Sequence, residues 1–326
     1  MSHLRKIRVG VLRGGPSSEY EVSLKTGEEI LRHLPKDKYD PIDIFISREG
    51  AWHVNGIERT PYDAVHTMDV IVNAMHGEYG EDGKVQAILD HMKVPYTGST
   101  AFASALAMRK DMAKQALKGT DIKTPYWKTL SREEVSAGNL HELFRTIPHP
   151  SVIKPVGAGS SVGVSVVMTF AELAAALEKA FAVGDTAIIE EFVEGREATC
   201  GVVDHFRGER TYALLPIEII PADDRGFFDY AAKYEGKSEE ICPGNFDHDT
   251  RDELQRLARR VHELLGLRHY SRSDFIIHPK RGIYFLEVNT LPGLTSESLL
   301  PKSLRAVGSS LPEFLDHIIT LAREKK

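Results

Sequence analysis

The feature that most constrains the fold is a pair of β-rich runs near the carboxyl end of the chain, with a turn between them. The runs span 271–278 and 283–290, and Pro279-Lys280-Arg281-Gly282 separates them. A four-residue turn signal between two such runs predicts an antiparallel hairpin. Pairing of His278 with Ile283 across the turn would set its register.

That register places two acidic side chains opposite each other. Asp274 would face Glu287, and Arg272 would face Asn289. Alternate side chains of a strand share a face, so all four project together. Opposed carboxylates repel, and a divalent cation such as Mg²⁺ relieves that repulsion by taking Asp, Glu and Asn oxygens as ligands. The alternative is a solvated polar face in which Arg272 pairs with the acids.

Length and composition favour a globular protein of two or three domains. The chain has 326 residues, of which 27% are charged and 42% hydrophobic. A net charge of −6, without a long basic run, argues against a nucleic-acid partner. Small anionic ligands remain possible because local cations decide their binding.

Cysteine content and hydrophobic patterning predict a cytoplasmic protein. Cys200 and Cys242 lack metal-ligand spacing and suit a reducing compartment. Residues 1–12 lack the apolar core of a signal peptide, and no apolar run reaches the length of a membrane span. We therefore expect neither export nor membrane association.

The amino-terminal stretch predicts a strand, a glycine turn and a helix. Residues 7–12 form the strand, and Ser18 with Glu21 predicts a capping box for the helix. The glycine spacing matches neither the dinucleotide fingerprint nor the P-loop. Glu19 in the first helical turn either complements the helix dipole or faces a ligand at the strand end.

Further elements complete an alternating α/β domain with a parallel sheet. The loop 76–83 holds three glycines at a strand end, so its backbone can approach a ligand closely. His76 is then either a hydrogen-bonded loop residue or a ligand contact. The predicted elements are strands at 42–46, 69–75 and 94–96 and a helix at 84–92.

The middle of the chain offers a candidate phosphate-binding loop. A helix is predicted over 101–118, with Lys110 and Lys114 on one side in the manner of solvated lysines. A strand at 151–155 then leads into 156–165, where three glycines surround two serines. Free N–H groups and hydroxyls suit phosphate oxygens, although such a turn is also typical of a flexible hairpin.

The last part of the chain predicts an antiparallel sheet interrupted by a lid. Residues 222–248 contain three glycines, one proline and several aromatic residues without a period, which is typical of a functional lid. Strands are predicted at 187–197, 198–203 and 212–220, and helices at 250–265 and 311–323.

Six stretches, in order over nearly the whole chain, carry a family resemblance. They are Gly14-Gly15-Pro16-Ser17-Ser18-Glu19 with Glu21-Val22-Ser23-Leu24, His76-Gly77 with Gly80-Glu81-Asp82-Gly83, Pro95-Tyr96-Thr97-Gly98-Ser99, Lys154-Pro155 with Gly159-Ser160-Ser161-Val162-Gly163, Tyr230 with Lys233-Tyr234, and Leu286-Glu287-Val288-Asn289-Thr290-Leu291-Pro292-Gly293-Leu294-Thr295-Ser296. Read together, they resemble the D-alanine:D-alanine ligases of the ATP-grasp superfamily.

The resemblance implies a fold and a reaction. The fold would be ATP-grasp, of mixed α/β and α+β class, with a parallel α/β domain at 1–105, a central domain at 106–187 and a catalytic domain at 188–326. The reaction would join two D-alanines with ATP through an acyl phosphate, for peptidoglycan precursor synthesis. The resemblance also implies a homodimer.

The same resemblance assigns the ATP and metal contacts. Lys110 and Lys154 would contact the phosphates and Glu197 the ribose. The adenine would lie at Glu190, Phe192 and Val193. The ligands of Mg²⁺, for which Mn²⁺ can substitute, would be Asp274, Glu287 and Asn289.

It also assigns the amino-acid contacts. Glu19 would bind the ammonium of the first D-alanine, in a hydrogen-bonded group with Ser160 and Tyr234. Ser298 and Leu299 would receive the carboxylate of the second D-alanine. Arg272 and the Gly293 N–H would stabilise the oxyanion, and His76 and Lys233 would also contact substrate.

The sequence departs from the family pattern in one loop, and two alternative functions stay open. Val156-Gly157-Ala158 replaces the Arg and Glu that many relatives carry before Gly159, so the contacts of that loop differ from theirs. Lys233-Tyr234 is similar to the dipeptide-forming branch. The rivals are a ligase with D-serine or D-lactate as acceptor and a nucleotide-binding relative without catalysis.

Overall fold

The computed structural model describes residues 5–135, 139–157, 159, 163–221 and 238–324. These residues form three β-sheets with helices packed around them. Within these ranges, no helix combines the length and the apolar character needed to cross a lipid bilayer.

The amino-terminal sheet is parallel at its centre, as the sequence predicts. Its strand order is β4-β3-β2-β1-β5, and β1 runs parallel to both β2 and β5. Its strands are β1 (Ile7–Gly14), β2 (Tyr39–Ile46), β3 (Trp52–Val54), β4 (Ile57–Arg59) and β5 (Val70–Asn73), and its helices are α1 (Tyr20–His33), α2 (Pro61–Val65) and α3 (Lys84–His91). The strand expected at 94–96 is reduced to a single bridge between Ile71 and Tyr96.

The capping box predicted for α1 does not form. Glu19 occupies the N-cap position and makes no side-chain capping bond. The Glu19 N–H instead donates to Ser17 Oγ at 3.1 Å, and Ser17 Oγ in turn donates to the His76 carbonyl at 2.7 Å. The turn between β1 and α1 is therefore fixed by the neighbouring loop rather than by Ser18.

The central sheet is antiparallel, with strand order β6-β9-β7-β8. Its strands are β6 (Trp127–Ser131), β7 (Ser151–Pro155), β8 (Ser165–Val167) and β9 (Thr186–Glu191), and the helices of this part are α4 (Ala101–Met108), α5 (Lys110–Leu117), α6 (Leu140–Thr146) and α7 (Phe170–Phe181). The single helix predicted over 101–118 is wrong. Arg109 is extended, with φ −86° and ψ 104°, and the Lys110 N–H donates to Val156 O at 3.2 Å, which ties the break to the end of β7.

The carboxy-terminal sheet has the order β13-β12-β10-β14-β15, with β11 paired to β10. Its strands are β10 (Arg196–Asp204), β11 (Thr211–Ala213), β12 (Ile217–Ile220), β13 (Glu239–Ile241), β14 (Tyr270–His278) and β15 (Gly282–Asn289), and the helices are α8 (His248–Leu264), α9 (Leu299–Ala306) and α10 (Leu311–Arg323). The strand predicted at 212–220 is split before Pro216, which has no N–H to donate to a ladder. Within the predicted lid, β13 is regular strand and pairs with β12.

The predicted hairpin forms, but its turn is one residue tighter than expected. His278 pairs with Gly282 rather than with Ile283, because Gly282 adopts φ +85° and closes a three-residue connection. A bulge between Asp274 and Phe275 leaves Leu286 as the extra residue on β15. The two one-residue shifts cancel, so the predicted pairing holds beyond the bulge.

The two ends of the described chain share one hydrophobic core. Val9 and Val11 of β1 pack in the same cluster as Phe314 and Ile318 of α10. The domain limits implied by the resemblance stay a prediction. In the structure, α4 runs across the limit at 105/106 and β9 runs across the limit at 187/188.

Candidate functional site

The predicted polar face of the hairpin is present. Asp274 pairs with Glu287 and Arg272 with Asn289 across the ladder. The Arg272 guanidinium donates to both Asp274 oxygens, at 3.1 and 3.0 Å, and Asn289 Nδ2 donates to Asp274 Oδ2 at 3.4 Å. Simple alternation would add Phe285 to this face, but the bulge turns that ring into the core.

Cationic side chains already relieve the repulsion between the two acids. Arg272 neutralises Asp274, and Lys110 Nζ lies 3.1 Å from Glu287 Oε2. Burial alone would lower the pKa of Arg272, but the Asp274 carboxylate outweighs it and leaves the pKa raised. The hairpin is therefore electrostatically balanced by its own neighbours, and the repulsion argument by itself does not require a metal.

A second set of charges lies beneath the hairpin, in the core between α5, β7 and β9. Lys114 Nζ is 3.0 Å from Glu190 Oε1, and Lys154 Nζ is 2.8 Å from Glu190 Oε2. We call Lys114, Glu190 and Lys154 the buried triad. The prediction that Lys110 and Lys114 are solvated is wrong, because their side chains are 9% and 0% exposed.

Burial and charge act against each other in the triad. Burial alone would raise the pKa of Glu190, but Lys114 and Lys154 outweigh it and hold the pKa at about 2. For Lys154 the acidic neighbours likewise outweigh burial, and its pKa is raised. For Lys114 burial dominates, and its pKa is lowered. Glu190 is therefore a permanently charged anchor for Lys154.

The residues expected at the adenine and ribose follow this anchor. Val193 is buried, and the Phe192 N–H donates to Pro150 O at 2.9 Å, which fixes the backbone after β9. Glu197 is the second residue of β10, and its negative charge contributes to the raised pKa of Lys154. The structure thus brings Glu197 and Glu190 close to Lys154.

Glu19 lies where two glycine loops meet. A β-carbon added at Gly77 or at Gly159 would lie 2.9 Å from Glu19 Oε2. Gly77 has φ +70°, so a side chain there would be both strained and crowded. The carboxylate therefore faces backbone from the loop 76–83 and from the loop after β7.

The loop 76–83 also holds Leu291 by its backbone. The Leu291 N–H donates to Glu81 Oε1 at 3.2 Å, and His76 makes a hydrogen bond with the Leu291 backbone. Burial lowers the pKa of His76 to about 4, so the ring is neutral at pH 7. Burial, together with the charge of Glu19, raises the pKa of Glu81 to about 8.

The expected acceptor residues lie at the start of α9. Ser298 is its N-cap but makes no capping bond, because its hydroxyl is 2.7 Å from Thr295 Oγ1. The first N–H groups of the helix, beginning at Leu299, are thus left for another acceptor. A β-carbon at Gly293 would lie 2.8 Å from Ser298 Oγ, so the two residues are close neighbours.

One cleft joins several of these groups. It is lined by Glu81, Lys110, Gly159, Glu287, Asn289 and Thr290. Ser160, Lys233 and Tyr234 lie outside the described residues, as does 222–237 of the predicted lid. The described lining comes from all three parts of the chain, so the cleft is built by the tertiary fold.

Oxygen ligands for a cation are available on the hairpin face, where Glu287 and Asn289 line the cleft. Among the residues that the structure describes, no group of three or more His, Cys, Asp and Glu side chains could hold a metal ion. Asp274, Glu287 and Asn289 offer two carboxylates and one amide. Hard oxygen ligands of this kind fit Mg²⁺ when phosphate oxygens and waters complete its shell.

Sequence reasoning missed three residues of the site. Lys114 carried a signal, since Lys110, Ala113, Lys114 and Leu117 form the buried stripe of α5 at helical spacing. Thr199 carried none that a single sequence reveals, yet Thr199 Oγ1 donates to Asp274 Oδ1 at 2.6 Å. Glu81 belongs to Gly80-Glu81-Asp82-Gly83, one of the stretches of the family resemblance, which assigns it no role.

Comparison with known proteins agrees with this geometry. The family model described as D-ala D-ala ligase C-terminus matches residues 116–320, and the model for the N-terminus of the same ligases matches 8–64 and 56–99. This chain belongs to the D-alanine–D-alanine ligase family.

Relatives in this family cover nearly the whole chain. The D-alanine–D-alanine ligase of Desulfotalea psychrophila is 39% identical over 325 residues, covering 98% of this chain and 96% of that protein. Ligase B of Clostridium perfringens is 38% identical, covering 98% and 99%.

Solved structures of the family confirm the ATP-grasp fold. The D-alanine–D-alanine ligase of Bacillus anthracis has a TM-score of 0.82 at 34% identity, covering 97% of each chain. A D-Ala:D-Ser ligase of Enterococcus faecalis has a TM-score of 0.85 at 30% identity, covering 98% of this chain and 100% of the other. The fold is therefore shared by ligases with different acceptors.

Proposed function

We propose that this protein joins two D-alanine molecules into D-alanyl-D-alanine at the expense of ATP. The observation that carries the proposal is the similarity to ligases of this name over 98% of the chain. The charged residues of the site support it, because Lys110 and Lys154 supply cations for phosphates and Glu19 supplies a carboxylate for an amino acid. The product is a building block for peptidoglycan precursors.

The chemistry follows from the substrates. A carboxylate is a poor acylating agent because oxide is a poor leaving group. A carboxylate oxygen of the first D-alanine attacks the γ-phosphorus of ATP, and ADP leaves. The product of this step is an acyl phosphate. The neutral amine of the second D-alanine then attacks its carbonyl carbon, loses a proton and forms the amide bond as inorganic phosphate leaves.

Three cationic side chains serve the first step. Lys110 and Lys154 offset the charge of the phosphates, and each is held in place by a carboxylate, Glu287 and Glu190 respectively. Asp274, Glu287 and Asn289 would hold Mg²⁺, or Mn²⁺ in its place. When bound, the ion offsets further phosphate charge. Arg272 keeps Asp274 oriented toward the cleft.

Other residues position the two amino acids. Glu19 binds the ammonium of the first D-alanine, next to the Gly77 and Gly159 backbone. Arg272 and the Gly293 N–H stabilise the oxyanion of the tetrahedral intermediate. The carboxylate of the second D-alanine binds at Ser298 and Leu299, where the N–H groups of α9 favour an anion.

The contacts proposed from residues outside the described ranges complete the site. Ser160 and Tyr234 join the hydrogen-bonded group of Glu19, and Lys233 contacts substrate. The part of the predicted lid before β13 closes over the acyl phosphate and excludes water from it. We also propose a cytoplasmic location and a homodimer, and light scattering of the purified protein tests the dimer.

A panel of amino acids tests the proposed reaction. Purified protein with ATP and Mg²⁺ is incubated with D-alanine alone, with D-alanine plus D-serine or D-lactate, or with L-alanine, and phosphate release is measured. We expect release with D-alanine, and D-alanyl-D-alanine as the product by mass spectrometry. Release only when D-serine or D-lactate accompanies D-alanine would move the assignment to a ligase with another acceptor. Binding of ATP without release under any condition would favour the non-catalytic relative.

A further inference from the structure

Lys114 is the member of the buried triad that the proposed reaction leaves without a role. Its side chain is 0% exposed, whereas that of Lys154 is 12% exposed. Lys114 and Lys154 contact opposite oxygens of Glu190, at 3.0 and 2.8 Å. Lys114 therefore lies on the far side of Glu190 from the more exposed lysine, and it acts on a ligand through that carboxylate.

The charges around Lys154 explain why a second lysine matters. Glu190, Glu287 and Glu197 all act on Lys154, and each favours its protonated form. If Glu190 had Lys154 as its only cation, that pair would be neutral and would offer little to an anionic ligand. With Lys114 behind Glu190, the triad keeps one surplus positive charge.

We infer that Lys114 is a positioning residue for nucleotide binding, neutralising Glu190 from behind so that the charge of Lys154 stays available to phosphate. The inference rests on the proposed ATP-dependent function. It names Lys114 as a determinant of nucleotide affinity, acting on the same site without touching the ligand.

Stability alone does not call for a lysine at this position. Replacing buried ionic groups by apolar ones of similar volume is often neutral or stabilising. Ala113 and Leu117, on the same buried stripe of α5, are apolar. A methionine at 114 would fill nearly the same space and leave Glu190 paired with Lys154.

The first test is nucleotide binding by Lys114→Met. The wild-type protein must first release phosphate with D-alanine and bind Mg²⁺-ADP in a calorimeter, which secures the proposed function independently. We expect the variant to bind Mg²⁺-ADP about tenfold more weakly, since a nearby charge is lost at an intermediate effective dielectric. Adenosine, which has no phosphate, should lose much less affinity, whereas local unfolding would weaken both ligands alike.

A matched control removes a lysine from the same helix end. Lys118 follows α5 and is exposed. Lys118→Met changes the net charge of the protein by the same amount, and its affinity for Mg²⁺-ADP should stay within twofold of wild type. Equal losses in the two variants would overturn the inference, because the effect would then reflect net charge alone.

A double-mutant cycle supplies the decisive measurement. Glu190→Gln removes the negative charge that Lys114 balances, so it should strengthen Mg²⁺-ADP binding when introduced into Lys114→Met. In the wild-type background the same change leaves two lysines facing each other and should not strengthen binding. Because Glu190 is also expected at the adenine, the double variant is judged by its affinity for Mg²⁺-ADP relative to its affinity for adenosine. Should Lys114→Met fail to fold, the double variant still decides: a ratio within threefold of wild type supports the inference, and a larger fall overturns it.

Discussion

The hairpin face and the buried triad are both clusters of opposite charges, yet they differ in how the chain builds them. Arg272, Asp274, Glu287 and Asn289 belong to one hairpin, so a local turn brings them together. The triad joins α5, β7 and β9, which only the tertiary fold assembles. Pairing within a hairpin can therefore be predicted from a sequence, whereas contacts between residues of distant elements cannot.

The largest effect is expected on the hairpin face. Asp274→Ala or Glu287→Ala should lower kcat about a thousandfold, because each removes a cation ligand and leaves Arg272 or Lys110 without its carboxylate. Circular dichroism should show an intact fold. The exposed Glu263→Gln on α8 serves as the control and should leave kcat unchanged. Near-normal rates in both alanine variants would remove the metal role from the hairpin.

Arg272→Lys keeps the positive charge but removes the two-pronged contact of the guanidinium with Asp274. The guanidinium spans both Asp274 oxygens, and an ammonium cannot do so. We expect kcat to fall about a hundredfold, as for loss of an oxyanion donor, with little change in KM for ATP. A variant that mainly raises KM for ATP would place Arg272 with the nucleotide instead.

Glu81, like the triad, is a buried charged residue whose surroundings come from distant parts of the chain. Its pKa is raised to about 8 by burial and by Glu19, above the ordinary value of 4.5. An acid with a raised folded pKa disfavours folding increasingly as pH rises from about 4.5 to 8. Glu81→Gln should therefore lose less Tm between pH 5 and pH 8 than wild type, by a few degrees at about 2 °C per kcal/mol. Parallel Tm profiles of the two proteins would show that Glu81 does not titrate in this range.

The smallest effect is expected at two helix starts that use serine differently. Ser298→Ala should raise KM for the second D-alanine roughly three- to tenfold, and it should lower stability by about 1 kcal/mol because the Ser298 hydroxyl hydrogen-bonds Thr295. Ser310 caps α10 in a capping box with Glu313. Ser310→Ala should cost about 1 kcal/mol of stability and leave KM unchanged. The reverse pattern would place the acceptor site away from α9.

Much of the fold could be predicted from the sequence because its signals are local. The parallel order of the amino-terminal sheet follows from alternating strands and helices, and the hairpin pairing follows from its turn. The cancelling errors at Gly282 and Leu286 mark the limit, since neither a tight turn nor a bulge is evident from residue types alone.

The rest required the folded chain. From the sequence, Lys110 and Lys114 look like surface residues. The fold pairs them with Glu287 and Glu190, which lie far away along the chain. The break at Arg109 is another example, because the Val156 carbonyl that accepts the Lys110 N–H lies 46 positions further along.

The packing of α10 into the core of the first sheet bears on how the protein is made. Val9 and Val11 are synthesised long before Phe314 and Ile318, which share their hydrophobic cluster. One apolar side of the first sheet therefore stays open until α10 has been made. A nascent chain stalled before residue 311 would expose this apolar surface, to which ribosome-associated chaperones can bind.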